Sequence, residues 1–423
     1  MMGGVLIALV GRFRPLILGL PLLATACISP VDYGAIRHAD YVANGRCNPA
    51  ASDASPGNLT NGVTDGATLP DKPFFVVTSR LPDCRNNAIK LLNHRADKVR
   101  FGRFGAPQDV LNEKGKVDGQ RIPFAISNEA AWWTDLSETM GNREGRVLLY
   151  VHGYRETFFS SSRDAAQIAR LSNFTGPVIQ YSWPSQGQLL KYAVDETNMY
   201  WDERNFRKFL TKLAQQPWTK EIVLVSHSLG ARLVLPAVEF VDRNSSNADS
   251  SNISNIILAS PDVDRQDFER DIAEEILSAR RVNNDRRITV YASAKDRALS
   301  LSDDVHGYPR LGHPRCFDPF KAAELKEKGL PERCYAAKSE YDVPPEKSGL
   351  TIVDTTAVSQ GRVGHGDYLR SAVACQDFAA VVNGERGAMN GRDPTHLSYV
   401  FALAAPPKDE EPDHLAICRR ERK

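Results

Sequence analysis

Ser228 stands in the middle of Ser226-His227-Ser228-Leu229-Gly230, with an apolar run at residues 221–225 before it and Ala231-Arg-Leu-Val-Leu235 after it. That order of residues predicts a strand, a sharp turn and a helix. A serine at the tip of such a turn projects its hydroxyl clear of the backbone while the next amide faces an incoming carbonyl. The chemistry on offer is nucleophilic attack on a carbonyl carbon. Ser226 occupies the first small position, where glycine is usual, and serine is still small enough for a crowded turn.

A serine hydroxyl attacks only when a base takes its proton and a carboxylate orients that base. In chains built around this kind of turn the order is Ser, acid, His. His306, His313, His365, His396 and His414 follow Ser228. His365, in Gly364-His365-Gly366-Asp367-Tyr368, lies in a glycine-flanked loop just after the expected final strand and is the candidate base. Two acids compete: Asp296, in Ser293-Ala-Lys-Asp296-Arg297, is favoured, and Asp262, in Ser260-Pro261-Asp262, is the alternative. Aspartates at strand ends also cap loops, which is the plainer reading of either.

His152-Gly153-Tyr154 ends the first strand of the same region. Glycine there lets the backbone approach a substrate, so the amides of Tyr154 and Leu229 are the candidate oxyanion donors. His152 is expected to support this loop, His227 to pack within the turn, and Arg155 to form a salt bridge, with contact to an anionic acyl group as the alternative. Trp183-Pro184-Ser185 is expected to shape a pocket wall.

Val151-His-Gly-Tyr154, Tyr181-Ser-Trp-Pro-Ser185, Val225-Ser-His-Ser-Leu-Gly230, Ser260-Pro-Asp262, Ser293-Ala-Lys-Asp296 and Gly364-His365 together resemble a bacterial group of α/β-hydrolase proteins of unknown function. In that group the turn commonly reads Ala-His-Ser-Met-Gly. Val77-Thr-Ser-Arg80 and Phe101-Gly-Arg103 resemble its N-terminal part, so the likeness runs from about residue 74 to 370. It implies an α/β-hydrolase fold and a Ser-His-Asp triad, and names no substrate. The insertion and the cysteine-bearing tail described below depart from the group's pattern.

The elements that must position these residues read as follows. After residue 146, short apolar runs alternate with helical segments: strands at 147–151, 178–182, 221–225, 253–259, 288–292 and finally 351–354, and helices at 160–171, 198–215 and 264–281. Such alternation predicts a mainly parallel sheet covered by helices on both faces. Upstream, Phe74-Phe-Val-Val77 and Val99-Arg-Phe101 with Phe104 read as strands, and Trp132 and Trp133 as packing residues. The expected organisation is a signal at 1–27, a tether at 28–72, an N-terminal extension packing on the core at 73–145, a hydrolase domain at 146–375 and a tail at 376–423. An insertion at about 311–349 interrupts the domain, as a lid over the site or as a disulfide-stapled surface excursion.

Arg12 and Arg14 precede an apolar run, residues 15–23, that meets Ala24-Thr25-Ala26-Cys27. The run is too short to span a bilayer and ends in small residues, the form of a secretory signal. It resembles a bacterial lipoprotein signal with Cys27 as the lipidated residue, although Ala24 stands where leucine is usual. Ile28 supplies no aspartate-type retention signal, so the expected address is the cell envelope, on the periplasmic side, with the outer membrane preferred. Removing Cys27 leaves Cys47, Cys84, Cys316, Cys334, Cys375 and Cys418, an even number suited to disulfides outside the cytosol. Sequential pairing is expected. No cysteine has zinc-ligand spacing, so neither metal nor organic cofactor is implied. A formal net charge of +1, from 53 basic and 52 acidic residues, gives no broad electrostatic reason to expect nucleic acid.

The sequence thus points to a serine hydrolase, esterase- or lipase-like, acting on a carboxylic ester, with lipid and thioester substrates included. Its rivals are a cell-envelope amidase on the same triad and a catalytically silent envelope binding protein of the same fold. The oligomeric state is not legible.

Overall fold

The computed structural model describes residues 74–83, 89–105, 124–141, 144–244, 252–278, 286–315, 319–329, 349–359, 363–395 and 397–404. The signal, the tether and most of the cysteines lie outside them. Among the described residues no helix is long and apolar enough to cross a membrane.

The chain's uninterrupted apolar runs become the middle of one sheet. Its strands are β1 (Phe74–Asp83), β2 (Lys90–Phe104), β3 (Phe124–Ser127), β4 (Arg146–Val151), β5 (Val178–Ser182), β6 (Glu221–His227), β7 (Ile253–Ala259), β8 (Arg287–Ala292), β9 (Leu350–Asp354), β10 (Arg392–Pro394) and β11 (Val400–Leu403), in the order β10-β11-β9-β8-β7-β6-β4-β5-β1-β2-β3. All neighbours from β11 through to β1 are parallel, and among the described residues antiparallel pairs occur only at the two edges.

A strand sends alternate side chains to opposite faces. Val147, Leu149 and Val151 of β4 therefore join Ile222 and Leu224 of β6 in one core. Leu148 and Tyr150 join Val223 and Val225 in the other. The first core is closed by α1 (Glu129–Gly141), α3 (Tyr192–Ala214), α4 (Ala231–Asn244) and a helical run at 265–278, here α5. The second is closed by α2 (Phe158–Leu171) and α8 (Ala372–Val382). This two-sided cover is why the central strands read as continuous apolar runs with no alternation. Trp132 and Trp133 pack as expected, and Trp132 Nε1 donates to the Gly102 carbonyl at 2.9 Å.

Three boundaries differ from the sequence reading. The N-terminal extension packs on the core and also joins the sheet: β1 enters between β5 and β2, with Phe75 opposite Ile179 in β5 and Arg103 in β2. The tail also contributes to the sheet, because β11 runs parallel to β9, so 351–354 is not the last strand. Only four residues long, β11 carries no periodic signal of its own. Its neighbour β10 is anchored through its own buried Arg392, whose Nε and Nη2 donate to Asp377 of α8 at 2.6 and 2.8 Å while Tyr291 Oη donates to the same carboxylate at 2.6 Å. Finally, α3 begins at Tyr192, well before the expected start at Asn198, with no side-chain cap at Lys191.

Residues 311–313 do not form an excursion. Leu311 is fully buried, and the amides of Leu311 and Gly312 donate to Val263 and Pro261 at 2.8 and 3.0 Å. Beyond them α7 (Pro319–Glu327) is described, but 316–318 and 330–348 are not, so the question of a lid lies outside the described residues. Cys375, on α8, is buried and disulfide-bonded. Cys27, Cys47, Cys84, Cys316, Cys334 and Cys418 lie outside the described residues.

Candidate active site

Parallel strands bring their carboxyl ends to one edge of the sheet. The register pairs Val151 with Ser226, His227 with Ala259 and Ala292 with Asp354, so the loops bearing Gly153, Ser228, Asp262, Asp296 and His365 all leave from that edge.

The strand, turn and helix around Ser228 are as the sequence predicts: β6 ends at His227, one short helical turn covers 228–230, and α4 starts at Ala231. Ser228 is 3 % exposed and sits in the left-handed region at φ 52°. A non-glycine residue there is strained by about 1–2 kcal/mol. Its surroundings hold it: a Cβ on Gly153 would come within 2.7 Å of Ser228 Cβ, and one on Gly230 within 2.6 Å of the His152 carbonyl oxygen and 2.9 Å of that of Val151. The two glycines let the β4 loop and the turn touch closely. Gly230→Ala is therefore expected to cost about 1–3 kcal/mol by overpacking. Chemical unfolding of the purified variant checks this, and unchanged stability would mean that the contact yields freely.

His365 meets Asp296, with Nδ1 2.7 Å from Oδ2; the acid's side chain is fully buried and the imidazole is 17 % exposed. A carboxylate only accepts, so Nδ1 carries the proton and Nε2 keeps its lone pair in the neutral ring. Burial pushes the His365 pKa down, but the Asp296 charge and hydrogen bond outweigh it, and the net shift is upward. Asp296 is also the N-cap of α6 (Arg297–His306): its Oδ1 accepts from the amides of Ala298 and Leu299, both at 3.0 Å. The two oxygens of this aspartate are thus divided, Oδ1 capping the helix and Oδ2 facing His365.

Asp262 does not compete for the histidine. Its carboxylate accepts from Tyr192 Oη at 2.5 Å, Ser302 Oγ at 2.7 Å and Arg232 Nη2 at 3.2 Å. Burial raises its pKa, yet Arg232 and these hydrogen bonds more than compensate and hold it below the usual carboxylate range. It joins α3, α4 and α6 beside the site, and its amide donates to the Ser228 carbonyl at 3.1 Å.

The other histidines sort by their partners. His152 is fully buried and stacked on Trp183 with centroids 4.9 Å apart, and Trp183 Nε1 donates to its carbonyl at 2.8 Å. Burial drives its pKa well down. It supports the loop as expected, and Trp183 is fully buried in the core. His313 Nδ1 is paired with buried Asp303, and His306 bridges the Ser302 carbonyl and Glu196 at 2.9 and 3.2 Å. His396 and His414 lie outside the described residues.

His227 does more than pack. Its Nε2 donates to the His365 carbonyl at 3.0 Å and its ring lies 4.8 Å from that of His365, tying the serine strand to the base loop. Nδ1 is buried, has no partner among the described residues and faces Gly153, so protonation would leave a charged donor unsatisfied. Burial, then the neighbouring His365 charge, lowers its pKa to about 3. An unfolded histidine titrates near 6.5. Between about pH 3 and that value the unfolded chain binds more protons, so this group withdraws stability as pH falls through the window, by at most about 1.4 kcal/mol per pH unit. His227→Phe keeps the ring and removes the titration. Urea midpoints measured from pH 4 to 7 are expected to show a shallower acid limb in the variant, and an unchanged limb would assign it elsewhere.

The oxyanion candidates lie on the two segments that Gly153 and Gly230 bring together. The Tyr154 amide donates to no group among the described residues, while its ring packs edge-on to Tyr192 at 5.2 Å and its hydroxyl donates to the Leu189 carbonyl. Arg155 departs from expectation: its side chain is exposed and makes no ion pair among the described residues, and its backbone is left-handed at φ 62°.

Sequence reasoning misses Tyr192 and Asp195, which belong to the uncapped first turns of α3, and Ser302, on the inner face of α6. An extended helix register for α3 would have found the first two. Buried Arg80 lies in the Val77-Thr-Ser-Arg80 motif, a signal to which the sequence attaches no role.

No curated protein matches this chain. A model of the family described as "Alpha/beta hydrolase of unknown function (DUF900)" matches residues 128–382, a span that holds every loop of this site. The chain belongs to that family of α/β hydrolases.

Proposed function

We propose that this chain is a serine hydrolase of carboxylic esters, with Ser228 as nucleophile, His365 as base and then acid, and Asp296 as the carboxylate that orients it. One observation carries the reading: the 2.7 Å contact between His365 Nδ1 and Asp296, made at the same sheet edge as a serine held left-handed at φ 52°. Attack forms the Oγ–C bond as the hydroxyl proton moves to His365 Nε2 and the carbonyl electron pair moves onto oxygen, facing the amides of Tyr154 and Leu229. Collapse restores the carbonyl and breaks the bond to the alcohol, which takes the proton from His365. Water then repeats the sequence on the acyl-enzyme, giving its proton to His365, and the carboxylic acid leaves with Ser228 restored.

A fluorophosphonate probe followed by peptide mapping tests this on the folded protein, with an adduct expected on Ser228. Its absence would favour the catalytically silent binding protein. Short- and long-chain p-nitrophenyl esters beside the matching anilides then separate esterase, lipase and amidase.

The chain is further proposed to be exported and lipid-anchored through Cys27, facing the periplasm. Membrane fractionation of Cys27→Ala tests the anchor, and a variant that stayed with the membrane would refute it.

A further inference from the structure

We infer that Asp195 is a positioning residue that sets the oxyanion turn, acting through a buried clamp on Arg155, Glu156 and Ser185. The inference rests on the reading of Ser228 as nucleophile and of Tyr154 as a donor to the oxyanion.

The turn after β4 needs such a clamp. Arg155 is held at φ 62°, and a left-handed arginine does not keep that conformation by itself. Its amide donates to Asp195 Oδ2 at 3.0 Å. The same oxygen accepts from Ser185 Oγ at 2.5 Å, while Oδ1 accepts from the Gln186 amide at 2.6 Å. Ser185 Oγ in turn accepts from the Glu156 amide at 2.9 Å. Consecutive amides of the turn, 155 and 156, are thus captured by one carboxylate and the hydroxyl it holds. The amide before them, that of Tyr154, has no acceptor among the described residues.

Arg80 closes the clamp from the other side. Its Nη2 donates to the Glu156 carbonyl at 2.8 Å, its Nη1 to the Ser185 carbonyl at 3.0 Å and Asn93 Oδ1 at 2.7 Å, and its Nε to Ser182 Oγ at 2.9 Å. Arg80, Ser182, Ser185 and Asp195 are all fully buried. Buried hydrogen bonds to charged groups are strong and directional, so a network whose acceptors serve backbone amides fixes geometry as well as adding stability. Oxyanion donors act by being aimed before the reaction begins, and removing one costs roughly 100-fold or more in kcat. Loosening the turn that aims one costs a part of that.

The test uses Asp195→Asn, Ser185→Ala as a gentler variant, and the two combined. Each is assayed for the rate of fluorophosphonate labelling of Ser228, for kcat and KM on a p-nitrophenyl ester, and for hydrogen exchange across residues 154–157. In Asp195→Asn the amide NH2 must face donors on one side, so the grip on the turn is lost while side-chain volume is kept. The expected result is a roughly 10- to 100-fold fall in kcat and labelling rate with KM within about threefold, and faster exchange confined to the turn. The double variant is expected to be no slower than Asp195→Asn alone, since both act on one clamp. Unchanged kcat, additive losses in the double variant, or exchange that quickens across the whole sheet would each overturn the clamp and leave the Ser228 reading standing. A wild-type protein with no Ser228 adduct would overturn both.

Discussion

Replacing Ser228 by glycine is expected to abolish ester turnover and, in the same protein, to raise stability. The two effects have one cause. Ser228 holds φ 52° at the tip of the turn, a conformation that costs a non-glycine residue about 1–2 kcal/mol and costs glycine almost nothing. The side chain is 3 % exposed and the turn is pinned by Gly153 and Gly230, so it cannot relax into a commoner region without moving β4. Ser228→Ala retains the strain and loses the nucleophile. Both variants are expected to lose about 10⁴- to 10⁶-fold in kcat, the range seen when the nucleophile of such a unit is removed. Glycine alone is expected to gain about 1 kcal/mol over alanine in urea unfolding. A residue strained for a structural reason would show no such opposition of stability and function. Equal stability of the two variants would show that the turn stores no strain.

For Asp296→Asn the expected fall in kcat is of the order of 10⁴-fold with little change in stability. The reason lies in the division of labour between its two oxygens. The asparagine would still offer Oδ1 to the amides of Ala298 and Leu299, so the cap of α6 survives. Facing His365, however, it would present an NH2 group, which forces Nδ1 to accept and places the ring proton on Nε2, where it cannot receive the proton of Ser228. Asp296→Ala would add the loss of the cap, about 1 kcal/mol. Comparing the two variants by kcat and by urea midpoint separates the oxygens, and equal stabilities would deny the capping role.

The same pair is expected to set the pH dependence. Burial works against the charged imidazole, but Asp296 overrides it, so His365 titrates above its ordinary value near 6.5. Only the neutral ring can act as base, so kcat/KM is expected to rise with pH through this raised pKa, and the midpoint is expected to fall in Asp296→Asn. Stability moves the other way. A raised folded pKa contributes stability that is fully present below about pH 6.5 and is lost as pH rises through the folded value. The protein is therefore expected to gain activity while this ion pair's contribution fades, and a kcat/KM profile that fell over this range would refute His365 as base.

Much of the site was legible because its parts are local. A strand that must be buried on both faces is written as an unbroken apolar run, as in β6, and a turn that must fit a serine between a strand and a helix needs small residues at fixed offsets. Those constraints act between neighbours in the chain, so Ser226-His-Ser-Leu-Gly230 and the glycines flanking His365 carry them openly. The parallel sheet and the chain order of serine, acid and base follow from the same runs.

What stayed hidden depends on residues far apart in sequence. Asp296 and Asp262 both follow strands in similar short loops, and only packing shows that Arg232, Tyr192 and Ser302 have occupied one while the other faces His365. His227 reads as a packing residue in sequence because its partner, the His365 carbonyl, lies 138 residues away. The clamp of Asp195, Ser185 and Arg80 joins segments that do not reveal it alone, and the β10–β11 edge is too short to announce itself without Asp377 and Arg392. By itself the sequence determined the strand, turn and helix around Ser228 and the layered sheet, and singled out His365 as the candidate base, since these follow from periodicity and from the sterics of adjacent residues. The tertiary structure alone decided which aspartate meets His365 and which groups hold the amides of Arg155 and Glu156, because hydrogen bonds between buried side chains are chosen by proximity in space, and chain order does not encode that proximity.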